Sequence, residues 1–91
     1  MTEFELGANT VLGLMPELGA KRLLGEELFA DGKVIPRAEV YLVVEDAAGH
    51  HARALDAGAR EISPMSERDW GHTAAYCLDP DGHVLAFASP T

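Results

Sequence analysis

"DWGHTAAYCLDPDGHVLAFA", residues 69–88, carries two alternating apolar runs on either side of DPDG. That tetrapeptide fits a type I turn: Asp79 leads, Pro80 sets φ, Asp81 follows and Gly82 closes. "HTAAYCL" and "HVLAFAS" are therefore predicted as neighbouring antiparallel strands. Period-two alternation assigns their faces. Leu85 and Phe87, the bulky pair, point one way, and Val84, Ala86 and Ala88 point the other. On the preceding strand His72, Ala74 and Tyr76 share a face.

Upstream, "REISPM" (60–65) reads as another strand. "EVYLVV" (39–44) places Val40, Leu42 and Val44 on one face, with Glu39, Tyr41 and Val43 on the other. Asp46 stands where an N-cap belongs, ahead of "AAGHHARALDAG". Ala48, Ala52 and Leu55 are expected to share the helix's buried face, and Gly58 fits the position after its last turn. His50 and His51, adjacent on that helix, read as solvated. The order from residue 39 onward is β-α-β-β-β. The bulky strand face should take the helix. The opposite face, with its small residues, Glu39, Tyr41, His72 and Tyr76, is then expected to be open to a ligand. The competing reading gives that face to another sheet or a partner subunit.

Toward the N-terminus, "EFELGANTVLGLM" (3–15) reads as a β-hairpin turning at GAN. "PELGAKRLL" (16–24) has the opening of a short helix, and residues 25–38 read as a connecting loop. No low-complexity tract divides the chain, and 91 residues suit one small domain.

The composition narrows the function classes. Apolar residues make up 47% and charged residues 24%, as in ordinary folded chains. A net charge of −8 speaks against nucleic acid and anionic membrane as partners and favours cationic or neutral ligands. The single cysteine, Cys77, leaves no intrachain disulfide and reads as a small buried residue. Neither a leader pattern nor a membrane-length apolar run is present, so a cytoplasmic location is expected. HExxH, CxxC, GxSxG and a glycine-rich phosphate loop are all missing. Asp79 and Asp81 are explained by turn chemistry, and His83 reads as structural.

"AEVYLVVEDAAGHHARALDAGAREISP" (38–64) followed by residues 69–88 resembles the vicinal oxygen chelate superfamily. Its members include glyoxalase I, bleomycin-resistance proteins, fosfomycin-resistance transferases and extradiol dioxygenases. The features carrying the resemblance are AGA after a helix, WG before a strand, and DPDGH between two strands, in that order. It implies an α+β glyoxalase-like fold with a mixed, curved sheet. A complete βαβββ module would span 39–89, beside an N-terminal hairpin remnant of a second module. The chain is then a single domain over 1–91, with 1–38 a partial first module and 39–91 the complete one. A natural short member, a misassigned start and a truncation are competing reasons for the short first module. Superfamily members pair two modules around a cavity, so a homodimer pairing modules between chains is expected.

In metal-using members the resemblance places ligands at Glu39, at Ala86, near Gly13, and on a strand that this chain lacks. Alanine and glycine supply no donor, and an identical second copy brings the same residues. A catalytic metal normally takes about three protein ligands, so no metal and no cofactor are expected. The candidate ligand-binding residues are Glu39, Tyr41, Trp70, His72 and Tyr76, and no catalytic residue is assigned. Trp70 either anchors its loop or stacks on a ligand. Tyr76 is either a core aromatic or, as the resemblance suggests, a hydrogen-bonding wall of the cavity. His72 can donate, accept or titrate, and Glu39 can select a cation. The expected function is metal-independent binding of a basic or aromatic small molecule, similar to the bleomycin-resistance type. The alternatives are a metal-dependent lyase or isomerase of the glyoxalase I type, a fosfomycin-type thiol transferase, and a non-binding assembly module.

Overall fold

The computed structural model describes residues 2–15 and 38–91. The expected helix at 16–24 and nearly all of the 25–38 loop lie outside them. Strands β1 (Thr2–Gly7) and β2 (Thr10–Leu14) form a separate antiparallel hairpin, with Ala8 and Asn9 in its turn. Phe4 faces Leu12 and Thr2 faces Leu14, so Phe4, Leu6, Leu12 and Leu14 gather on one side of it. All four remain about half exposed.

The main sheet follows the predicted β-α-β-β-β order: β3 (Glu39–Val43), α1 (Ala47–Asp56), β4 (Arg60–Glu67), β5 (His72–Leu78) and β6 (Val84–Pro90). Its spatial order is β3-β6-β5-β4; β3 runs parallel to β6 and the other pairings are antiparallel. A parallel neighbour requires a long crossover, and α1, β4 and β5 together form it. The two borders differ in kind. At β4 the ladder is irregular on both sides of Ser63, and Pro64 has no N–H to offer. At β3 the outer edge is unpaired among the described residues, and Val40, Leu42 and Val43 are largely exposed.

Helix α1 begins as its sequence dictates. Asp46 accepts a hydrogen bond from the Gly49 N–H at 3.1 Å, and Gly58 after the last turn has φ +112°. Its buried face is only partly the expected one: Leu55 is half-buried. Ala48 and Ala52 are exposed, whereas Ala47 and His51 are buried and His50 is half-buried. The His50 ring stacks on Phe87 at 5.7 Å, which puts Phe87 on the helix side as expected. His51 donates through Nε2 to Glu61 at 2.9 Å. The helix rotates toward its histidines because an imidazole buries more surface than a methyl group, once one nitrogen is bonded. The other nitrogen of His51 is buried without a partner among the described residues.

The face opposite the helix is covered where an open one was expected. Ala74, Ala86 and Ala88 are fully buried there, together with Tyr76 and Val84, and Tyr41, Ile62 and Leu78 pack against them. The small residues are therefore not the floor of an open hollow. They make room for two tyrosine rings. Cys77 is a buried free thiol, its pKa pushed up by burial.

The DPDG turn closes on itself. Gly82 N–H donates to Asp79 O, Gly82 has φ +93°, and the Asp79 carboxylate accepts from the N–H groups of Asp81 and His83. The His83 ring, largely exposed, adds a bond to Asp79 at 2.9 Å. The His83 backbone bond foremost holds the Asp79 carboxyl below its ordinary value of 3.8. Its stabilising contribution is thus present above that value and is lost as pH falls through the lower folded-state pKa. Asp79→Asn should therefore lower the thermal midpoint at neutral pH and narrow the gap to wild type in acid. An unchanged gap at about pH 3 would contradict this assignment.

Candidate functional site

The loop between β4 and β5 repeats the DPDG architecture. Arg68 N–H bonds to His72 O at 2.8 Å, Gly71 N–H reaches Arg68 O at 3.4 Å, and Gly71 has φ +88°. RDWGH and DPDGH are thus two versions of one hairpin turn, each with a left-handed glycine followed by a histidine. The repeat was visible in the sequence. The turn places Trp70 beside His72 at the mouth of β5.

From β3, Tyr41 reaches across β6 to meet them. It lies opposite Ala86 in the ladder, and a methyl group there leaves the ring free to pass over. Its hydroxyl shares a 2.7 Å hydrogen bond with His72 Nδ1 and accepts one from Trp70 Nε1–H at 2.8 Å. The Tyr41 and His72 rings stack at 5.8 Å with planes 23° apart. Tyr76 lies beneath, 6.4 Å from Tyr41 and tilted by 53°. Four of the five sequence-selected residues therefore form one aromatic group. Their accessibility falls steeply: Trp70 is 44% exposed, Tyr41 and His72 are half-buried, and Tyr76 is 1% exposed.

Glu39 opens β3 on the same face. Although solvent reaches it, burial of part of the group raises its pKa. Its charge also works against ionisation of both tyrosines. Burial is the larger reason that Tyr41 and Tyr76 hold their protons well above the usual phenol range.

Arg68 is the residue that the sequence reading passed over. Its guanidinium donates to Ala74 O through Nε and Nη2, and also to Ser63 Oγ and Pro64 O. It lies 5.3 Å from the centre of the Tyr76 ring. An arginine between Glu67 and Asp69 at the start of a turn reads as an ordinary solvated charge and carries no motif. Only the fold brings Ala74 O and Tyr76 to it.

A bound metal does not suit the described residues. Ala86 is fully buried with no donor atom, and Glu39 lies opposite Val84 in the ladder. No three His, Cys, Asp or Glu side chains converge among the described residues to hold an ion.

A glyoxalase-like domain model matches residues 7–88 of the sequence. The chain belongs to the glyoxalase-like family. With it comes membership of the vicinal oxygen chelate superfamily, in agreement with the sheet order and the βαβββ module. Among solved structures, this glyoxalase-like chain is similar to TioX from Micromonospora sp. ML1. The two share 26% identity with a TM-score of 0.50, over 68% of this chain and 48% of TioX. The match thus spans about half the length of TioX. No curated protein sequence matches. Among the described residues no helix is long and apolar enough to cross a membrane.

Proposed function

We propose that this glyoxalase-like chain binds a basic, aromatic small molecule without a metal, and does so as a homodimer. The observation that carries the reading is the Trp70–Tyr41–His72 group, held together by two short hydrogen bonds with Glu39 on the same face. Flat aromatic faces attract cations, and a carboxylate nearby adds charge selectivity. Trp70 supplies the accessible face, Tyr41 and His72 the wall, and Tyr76 the floor that supports them. Glu39 faces the cationic group. A cytoplasmic protein of net charge −8 would offer such a ligand a favourable field.

Support for the dimer comes from apolar surface. A lone two-stranded hairpin is marginal in water, yet Phe4, Leu6, Leu12 and Leu14 are about half exposed on one side of this one. Val40, Leu42 and Val43 add a second exposed apolar strip at β3. Surfaces of this kind mark association.

Calorimetric titration with benzamidinium and phenyltrimethylammonium tests the binding. Trp70→Ala should weaken it by roughly tenfold, the effect of losing a cation–π contact of ~1–2 kcal/mol. Glu39→Gln should weaken it less while raising stability near neutral pH. A carboxyl whose pKa is raised by folding is cost-free below the ordinary carboxylate range and costly above its raised pKa. No binding by either probe would sink the reading. So would near-stoichiometric zinc, nickel, manganese or iron retained through dialysis. Light scattering that finds only monomer at micromolar concentration would remove the dimer.

A further inference from the structure

We propose that the Trp70–Tyr41–His72 chain locks neutral His72 as the Nε2–H tautomer. His72 thereby offers a hydrogen bond to an oxygen acceptor, a carbonyl or carboxylate, on the bound molecule. The proposal rests on the binding reading above and adds a second element to the ligand, beside its aromatic cation.

One donor in this chain cannot reverse. An indole nitrogen only donates, so Trp70 Nε1–H must give its proton to the Tyr41 oxygen at 2.8 Å. The remaining Tyr41 contact is His72 Nδ1 at 2.7 Å. Were Nδ1–H the donor there, the phenol oxygen would accept twice and its own O–H would have no acceptor among the described residues. With Tyr41 O–H donating to Nδ1, both hydrogen bonds run in one direction, and the one proton left without a partner among the described residues is on His72 Nε2, which is not a buried atom. The stronger acid also faces the stronger base, and a phenol that accepts a hydrogen bond becomes a better donor. Burial of Tyr41 keeps that proton on the oxygen.

Once Nδ1 is the acceptor, the proton of the neutral ring sits on Nε2. That nitrogen has no hydrogen-bond partner among the described residues, and it is not among their buried, unsatisfied atoms. It is therefore the ring nitrogen left available to a ligand, Nδ1 being taken by the Tyr41 hydroxyl. Among the described residues, the charged groups that act on Tyr41 are Glu39 from β3 and Arg68 just after β4. Arg68 is committed to Ala74, Ser63 and Pro64, which leaves His72 as the donor for a neutral or anionic oxygen.

Nitrogen NMR of the imidazole-labelled full chain, above the histidine titration range, reads the tautomer directly. The His72 spectrum should show a pyridine-type Nδ1 and a protonated Nε2, and Tyr41→Phe should release it to a mixture. A protonated Nδ1, or an unlocked mixture in the wild type, overturns the tautomer assignment whether or not any ligand binds.

Benzamidinium and its para-carboxamide derivative then test the acceptor. The carboxamide should bind roughly fivefold more tightly to the wild type, the worth of one hydrogen bond. His72→Phe should erase that preference, and His72→Gln, whose amide N–H can stand near Nε2, should restore part of it. Equal affinity of the two probes for the wild type overturns the ligand class. Failure of both to bind overturns the ligand class together with the binding reading, and the tautomer is then judged on the spectrum alone.

Discussion

Replacing Tyr76 by alanine should remove about 3–5 kcal/mol of folding stability, the usual cost of deleting a buried aromatic side chain. A domain of this length commands roughly 5–13 kcal/mol in total, so the variant should be near its folding threshold. The cause is local and specific. Tyr76 is 1% exposed and sits among Ala74, Val84, Ala86 and Ala88, none of which can grow to fill the void. Urea unfolding measures the loss, with the midpoint falling and the slope retained. Tyr76→Phe separates two roles for the same residue. Its hydroxyl has no hydrogen bond to the described residues, so the change should cost under about 1 kcal/mol. Affinity for benzamidinium should also stay within about twofold, because Tyr76 supports the site from below. A large loss of affinity at unchanged stability would make the hydroxyl a direct ligand contact instead.

Arg68→Ala should cost about 2–4 kcal/mol, combining hydrogen bonds from a charged donor with a cation–π contact. Arg68 ties the irregular end of β4 to the middle of β5 through Ser63, Pro64 and Ala74, and covers the Tyr76 ring. Arg68→Lys should recover little of the loss, since a single ammonium cannot reproduce the planar fork that reaches these acceptors. Because Trp70 follows in the same turn, its fluorescence should shift in both variants. Wild-type thermal midpoints for Arg68→Lys would show that charge alone suffices and that the fork is dispensable.

The βαβββ order, the DPDG turn, the Asp46 cap and the helix-side position of Phe87 were all legible in the sequence. Each rests on local chemistry: alternation, turn geometry, a carboxylate before a helix. The helix's buried face was not. Ala48 and Ala52 looked like an apolar stripe, and choosing the histidine side required knowing that Glu61 and Phe87 lie beneath. The opposite face misled for a related reason. Alanines with period two read as an empty floor, whereas the fold spends them on Tyr41 and Tyr76. Tyr41, Trp70 and His72 were each recognisable as candidates. Their mutual contact depends on a ring reaching across β6, which no linear pattern encodes. Arg68 was missed because three of its four hydrogen bonds go to backbone carbonyls, and these have no sequence signature.

The unlike borders of the main sheet set how far association can proceed. Proline and broken register at β4 refuse a further strand, whereas β3 can accept one. Once two chains have joined through their receptive margins, neither main sheet has another to give among the described residues. Growth by edge pairing therefore terminates, and scattering mass should reach a plateau with rising concentration where a two-sided sheet would lengthen into a polymer.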